Sequence, residues 1–333
     1  MHLLRLLIAA SSRLAMPTVT LNNGVIMPQL SAGTGGYDNA SAAAAIRTAF
    51  DAGIFAFHSA NDYGNLKGVK DGLDYAKDAG GRDALFVTAM TSPCIHASPP
   101  MRNVSDAAAC YELTTRELNE TLAAMGLERA DLFLLHGPSN PFGFTGGCDP
   151  LVCALNRAQW RAYNDLLRAG RTRAIGVSNF CASCLQCLES DSLGAADSTP
   201  SVNQIQVHVG MGANAENLTR YCDSRGIVVQ AYSPLAAGAI ITACPLCVTI
   251  AQRVNKSAAQ VGLRWVAQQQ ALLPGLAQPP ALVVKASSAA YIAEDVAAID
   301  TSWRLSDGDM EALAALTGPP GQQNGRPSWG CAE

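Results

Sequence analysis

The chain has 333 residues, enough for one large domain or two ordinary ones. Hydrophobic residues make up 49% and charged residues 15%, a globular composition with a large core that excludes a disordered chain. The net charge is −4 with no basic block, which argues against nucleic acid, and no apolar run approaches the ~20 residues of a membrane span.

The first fifteen residues, MHLLRLLIAASSRLA, hold two arginines, two serines, no acid and a short apolar run. They read as a secretory or organellar targeting segment, or as a disordered extension in front of the domain. TVTLNNGVIMP follows, two short alternating runs around Asn-Asn-Gly, which is a hairpin signal. A repeating rhythm then begins. Short apolar runs (LSAGTGG, IFAFHSA, ALFVTAM, ADLFLLHGP, RAIGVSNF, SVNQIQVHV, IVVQAYSPL, ALVVKAS) alternate with helical patterns such as SAAAAIRTAFDAG and RAQWRAYNDLLRAG. Strand–helix units of this number, behind a hairpin, predict a (β/α)8 TIM barrel. No G-x-G-x-x-G follows a strand, which counts against a Rossmann domain. The expected domain is residues 16–316, with 317–333 as a tail near the substrate site. Irregular stretches at Ser92–Ala107 and Ser139–Cys153 follow strands, so they belong on the C-terminal face.

Eleven cysteines are many for a reduced compartment. Several fall in sequence pairs: Cys94 and Cys110, Cys148 and Cys153, Cys244 and Cys247. Asn-x-Ser/Thr sequons stand at Asn39, Asn103, Asn119, Asn217 and Asn255. Together they favour a secretory or organellar lumen over the cytoplasm. Cys181, Cys184 and Cys187 in CASCLQC lack a matching second pair of ligands, so no metal site is expected.

Polar residues at strand C-termini are the site candidates in a barrel. They are His58 and Tyr63 after the second barrel strand, His136 at the fourth, and Ser178 and Asn179 at the fifth. Gln204 lies in the sixth, Tyr232 and Ser233 end the seventh, and Lys285 follows the eighth. The third ends at Met90. With LNNGVIMPQLSAGT, SANDYGN, DLFLLHGP, AIGVSNF, NQIQVHV and QAYSPLA in this order, the chain resembles the aldo-keto reductases from about Met16 to Leu316.

The resemblance implies hydride transfer from NADP or NAD to the carbonyl carbon of a small-molecule aldehyde or ketone. Tyr63 stands at the proton donor and His136 at the carbonyl-binding histidine. The family's aspartate and lysine, which lower the tyrosine's pKa, are replaced by His58 and Met90. Three outcomes stay open: impaired proton transfer, a site rebuilt with His58 as the partner of Tyr63, or an inactive dinucleotide-binding or interaction protein on the same barrel. By the same resemblance Ser178, Asn179 and Gln204 hold the nicotinamide carboxamide and Tyr232 stacks on the ring. Ser233 and Leu235 line the pyrophosphate path, Lys285 binds phosphate, and Glu294 lies near the adenine. Tyr291 stands where an arginine for the ribose 2′-phosphate is usual, which leaves NADP and NAD both open. Gly137 and a glycine in GTGGYDN replace pocket aromatics, so a wide pocket is expected. The chain is expected to act as a monomer.

Overall fold

A computed structural model of the protein describes residues 16–96, 101–140, 147–189, 199–285 and 288–316. The leader 1–15, residues 141–146 of the Ser139–Cys153 stretch, Ala286, and the tail 317–333 with Trp329 lie outside the described residues. The expected hairpin is present: β1 (Thr18–Thr20) pairs antiparallel with β2 (Ile26–Pro28). Among the described residues ten more strands follow. Two of them, β6 (Ile95–His96) and β7 (Arg102–Asn103), form a small antiparallel pair on the rim. The other eight close into a parallel barrel: β3 (Leu30–Gly33), β4 (Ala56–His58), β5 (Phe86–Thr91), β8 (Ala130–Leu135), β9 (Thr172–Ser178), β10 (Val202–Gln206), β11 (Val228–Tyr232) and β12 (Ala281–Val284). β12 pairs back onto β3, Val284 opposite Ala32.

Alternation along the strands sorts two cores. Ala56, Phe86, Met90, Leu132, Leu134, Ala174, Val202, Val228 and Ala281 meet inside the barrel, joined by Val19, Leu21 and Met27 of the hairpin. The hairpin is therefore a plug at the N-terminal end. The alternate residues, among them Phe57, Val87, Phe133, Ile175, Ile205 and Leu282, face outward into the helix layer. Helices α1 (Asn39–Asp51), α2 (Leu66–Gly80), α3 (Ala107–Ala124), α4 (Pro150–Arg168) and α5 (Ala182–Glu189) cover the first half. α6 (Leu218–Asp223), α7 (Ala239–Thr242), α8 (Pro245–Val254), α9 (Ala258–Ala267), α10 (Ala289–Ile299) and α11 (Asp307–Ala314) complete the ring. Asp38, Asp106 and Asp149 cap α1, α3 and α4 by accepting backbone N–H groups, so these helices start at fixed points on the mouth. α2 lies close on α1 because a Cβ at Gly68 would fall 1.9 Å from the Asn39 carbonyl oxygen, and one at Gly72 2.7 Å from Ile46 Cβ.

Four disulfides join described residues, all in segments that follow barrel strands. Cys94–Cys110 ties the end of β5 to α3, and Cys244–Cys247 closes the start of α8. Cys148 and Cys153, neighbours in sequence, are not joined to each other. They reach across to α5 as Cys148–Cys184 and Cys153–Cys187. The i, i+3 spacing of CASCLQC puts Cys184 and Cys187 on one face of α5, where α4 passes. No single helix among the described residues is long and apolar enough to cross a membrane.

Candidate active site

The stretch Phe57–Asn65 builds one side of the mouth. β4 ends at His58, and a 3-10 turn at Asn61–Tyr63 then carries Asp62 and Tyr63 over the barrel. Asn65 fastens the turn, its Nδ2 donating to the Thr34 carbonyl (2.8 Å) and the Tyr37 carbonyl (2.9 Å). From the other side, Ser92 Oγ donates to Asn61 Oδ1 at 3.1 Å. Loops after three successive barrel strands thus hold Tyr63 in place.

The Tyr63 and His136 rings meet edge to face with centroids 5.6 Å apart. Tyr63 packs on the apolar barrel interior that includes the fully buried Met90. A thioether therefore fills the position where the resemblance expects a lysine. Burial, and after it the charge of Asp62, push the Tyr63 phenol above its usual range. Among the described residues its hydroxyl has no hydrogen-bond partner. A Cβ at Gly35 would lie 3.2 Å from Tyr63 Cζ and 3.5 Å from its hydroxyl oxygen, so Gly35 leaves the hydroxyl uncovered on that side.

His58 turns inward. Gln204 Nε2 donates to Gln230 Oε1 at 2.7 Å and to His58 Nε2 at 3.0 Å, which makes His58 the neutral acceptor of a buried amide pair. Burial, with the charge of His136 second, lowers its pKa to about 3. A partner role for His58 at the Tyr63 hydroxyl finds no contact in the structure; its ring nitrogen is engaged inside the barrel instead.

Asp62 was not among the expected residues. Its carboxylate lies 2.9 and 3.1 Å from His136 Nδ1. Burial works to raise this carboxyl, but the hydrogen bond and charge of His136, with His96 farther out, hold it below the usual range. The His136 backbone is fixed as well: its N–H donates to the Thr91 carbonyl (2.9 Å), and its carbonyl accepts from Asn179 Nδ2 (2.9 Å).

The expected cofactor residues divide into two groups. Ser178, Asn179 and Gln204 form a continuous chain, because Asn179 Nδ2 also donates to Ser178 Oγ (3.0 Å) and Ser178 Oγ to the Gln204 carbonyl (2.9 Å). Among the described residues Asn179 Oδ1 is buried with no partner, and Asn179 itself is left-handed at φ 61°. An orphaned amide oxygen held in a strained backbone fits an incoming carboxamide N–H. The loop after β11 is strained too, with Ser233, Ala236 and Ala237 at φ 49°, 49° and 53°. Tyr232 and Leu235 flank this turn, half-buried. Lys285 is exposed on the far side of the loop after β3, its Nζ 4.3 Å from the Tyr37 ring centre and 3.1 Å from where a Gly36 Cβ would be. Glu294 is engaged elsewhere, accepting from Ser257 Oγ at the cap of α9 (2.6 Å). Tyr291, on the first turn of α10, is 60% exposed.

Comparison with known proteins agrees with this geometry. The Aldo/keto reductase family profile matches residues 27–317. The chain is 32% identical to the uncharacterized oxidoreductase YtbE of Bacillus subtilis, covering 89% of this chain and 91% of that protein. It is also 32% identical to the glyoxal reductase of the same organism, covering 90% and 92%. The crystal structure of an aldo/keto reductase from Brucella melitensis superposes with a TM-score of 0.71 at 26% identity, covering 91% of this chain and all of that one. A hairpin-plugged parallel barrel with Tyr63 and His136 at its mouth, matched over nearly its whole length by this profile and these relatives, belongs to the aldo/keto reductase family.

Proposed function

We propose that the protein reduces a small aldehyde or ketone to an alcohol with NADPH or NADH. The observation that carries this reading is the Asn179 amide. Its nitrogen is tied to the backbone of His136, while its buried oxygen is left open at the same mouth. A cofactor carboxamide held there belongs beside the ring pair of Tyr63 and His136. Asn179, Ser178 and Tyr232 would hold and cover the nicotinamide end, the loop around Ser233 and Leu235 would follow the pyrophosphate, and Lys285 would meet phosphate. When bound, the dihydronicotinamide supplies hydride. Tyr63 and His136 would take the carbonyl oxygen between them, and Gly35 leaves room for the rest of the substrate. The name of one relative, a glyoxal reductase, supports a small aldehyde.

The test is direct binding of NADPH and NADH by nicotinamide fluorescence, followed by cofactor oxidation with a panel of aldehydes and ketones. Binding with turnover supports the reading. Binding without turnover favours the alternative, an inactive dinucleotide-binding protein, which is supported by the resemblance placing His58 and Met90 at the family's aspartate and lysine. No binding of either cofactor removes both.

We propose further that the protein works as a monomer in an oxidising compartment. Four disulfides and the exposure of all five sequon asparagines (Asn39, Asn103, Asn119, Asn217 and Asn255) support the compartment. A glycosidase-sensitive mass and blocked thiols in protein from its native source are expected, with one barrel per particle by light scattering. An unglycosylated chain with freely titrating thiols would remove the compartment assignment.

A further inference from the structure

We propose that Cys331 of the C-terminal tail forms a disulfide with Cys181, tying the tail across the barrel mouth beside Asn179 and slowing release of the bound cofactor. The pairing follows from the cysteines themselves. Of the eleven in the chain, all but Cys331 lie among the described residues. Eight pair as Cys94–Cys110, Cys148–Cys184, Cys153–Cys187 and Cys244–Cys247, and Cys222 is a free thiol. Cys181 is disulfide-bonded as well, so its partner stands outside the described residues, where the sequence has Cys331 and no other cysteine. The CASCLQC segment is thereby used in full. Cys184 and Cys187 reach Cys148 and Cys153 at the start of α4, and Cys181 takes the tail.

Both ends of this strap are anchored. Leu316, at the near end, packs on the helix-layer core, and Cys181 is 1% exposed just after β9. Fifteen residues lead from Leu316 to Cys331. They can span up to ~50 Å, ample for the way across one end of a barrel. The tail leaves from α11, which lies against α9: the Trp265 indole donates to the Met310 carbonyl at 3.2 Å. α9 connects β11 to β12, and in the closed barrel β10 and β11 stand between β12 and β9. The shorter way to Cys181 therefore passes the ends of β10 and β11, where Ser233, Ala236 and Ala237 make their left-handed turn. It ends two residues beyond Asn179, whose Nδ2 is tied to the His136 carbonyl. A strap fixed there lies over the nicotinamide end of the cofactor path, and this part of the inference rests on the reductase reading above.

The bond forms by exchange. The Cys331 thiolate attacks a disulfide oxidant of the compartment, a small-molecule or protein disulfide, giving a mixed disulfide and one released thiol. The Cys181 thiolate then attacks the Cys331 sulfur, closing the S–S bond and expelling the second thiol. The oxidant takes up two electrons, and the two cysteine protons end on the two thiols it becomes. Cys222 does not compete, because burial pushes its thiol up to about 12 and the thiolate is the attacking species.

The experiment first counts thiols in the full chain, unfolded without reductant and treated with an alkylating reagent. The parent should show one reactive thiol, at Cys222. Cys331→Ser should show a second, in the peptide that contains Cys181. In a digest of the parent, the peptide ending at Glu333 should come free only on reduction. Cys331 found alkylated in the parent overturns the cross-link, and so does a dimer that reduction splits. Cofactor release is then followed by stopped-flow chase of bound NADPH. Release should be about three- to tenfold faster from Cys331→Ser than from the parent, as when a closing segment is let go, and a chain truncated after Thr317 should match Cys331→Ser. Equal rates in all three overturn the strap's role in release. No binding of NADPH or NADH by the parent overturns the reading of the mouth and that role with it, while the thiol count decides the cross-link in either case.

Discussion

The two ends of the barrel treat buried charge in opposite ways. At the N-terminal end Asp131 is 2% exposed, and its carboxylate accepts from Arg82 (2.7 Å), Arg173 (3.0 Å) and the Val87 backbone N–H (2.9 Å). The hairpin plug of Val19, Leu21 and Met27 closes the same end with apolar surface. At the mouth Asp62 has the His136 ring as its ionisable hydrogen-bond partner, Asn179 Oδ1 has none among the described residues, and three non-glycine residues of one loop are left-handed. Disulfides at Cys94–Cys110, Cys148–Cys184, Cys153–Cys187 and Cys244–Cys247 ring that end. One end partners its buried Asp131 carboxylate on both oxygens and so stabilises the fold. The other keeps groups unsatisfied and strained, which destabilises it locally and leaves chemistry to do.

The sharpest way to break this contrast is to remove one aspartate from each end. Asp131→Ala removes the acceptor of two part-exposed guanidinium groups and of a buried backbone N–H, and should cost roughly 1–3 kcal/mol of unfolding free energy in urea. Asp62→Asn should cost under about 1 kcal/mol, while taking its toll on activity. Equal stability losses would erase the division between the ends. His58 makes a second, pH-dependent test. Its pKa is about 3 in the folded chain against an ordinary 6.5. The unfolded chain therefore binds a proton here as pH falls below about 6.5, and the folded chain does not until about pH 3. Stability is lost through that window, by roughly 3 kcal/mol between about pH 7 and pH 4. His58→Gln should flatten the loss; an unchanged slope would show that other groups carry it.

Much of this architecture was legible before any coordinates. Eight apolar runs became eight barrel strands because each is buried on both faces, and such runs survive without a periodic signal. Tyr63 and His136 were legible because they sit inside motifs at strand ends. Asp62 was not. An acidic residue in a short loop reads as a solvated turn, and its partner lies 74 residues away. The one signal was its place directly before Tyr63, on a turn whose residues converge over the mouth. The surroundings of His58 were hidden for a related reason: its contact with Gln204 spans 146 residues and forms inside the barrel, where sequence order gives no distance. Two of the three cysteine pairs noted in the sequence, Cys94–Cys110 and Cys244–Cys247, are disulfides, whereas Cys148 and Cys153 are close in sequence yet face α5, not each other.

Met90→Lys with His58→Asp would give Tyr63 a cation and that cation a counter-charge. The pair belongs together, because either residue alone would bury an unpaired charge and destabilise the barrel by several kcal/mol. With both in place the tyrosine gains a charged neighbour, and about a tenfold rise in kcat is expected. No gain would show that the two residues inside the barrel do not act through the proton.

The smallest effect should come from Tyr291, because the residue is 60% exposed and its interactions are screened by water. It stands on the first turn of α10, where Ser288 Oγ accepts its backbone N–H at 3.2 Å. A phenol there offers one hydroxyl to a 2′-phosphate, whereas a guanidinium offers a planar pair of charged donors. The helix N-terminus already favours an anion nearby. Tyr291→Arg should therefore tighten NADPH by about three- to tenfold and leave NADH within about twofold, read as dissociation constants by fluorescence titration. The same gain for both cofactors would mean that residue 291 acts on the adenine or on the shape of α10 and does not read the phosphate. A gain for NADPH alone would extend the contrast between the two ends of the barrel. It would make this corner of the mouth another place where a binding group has been left weak while Asp131, at the other end of the same barrel, keeps two arginine partners.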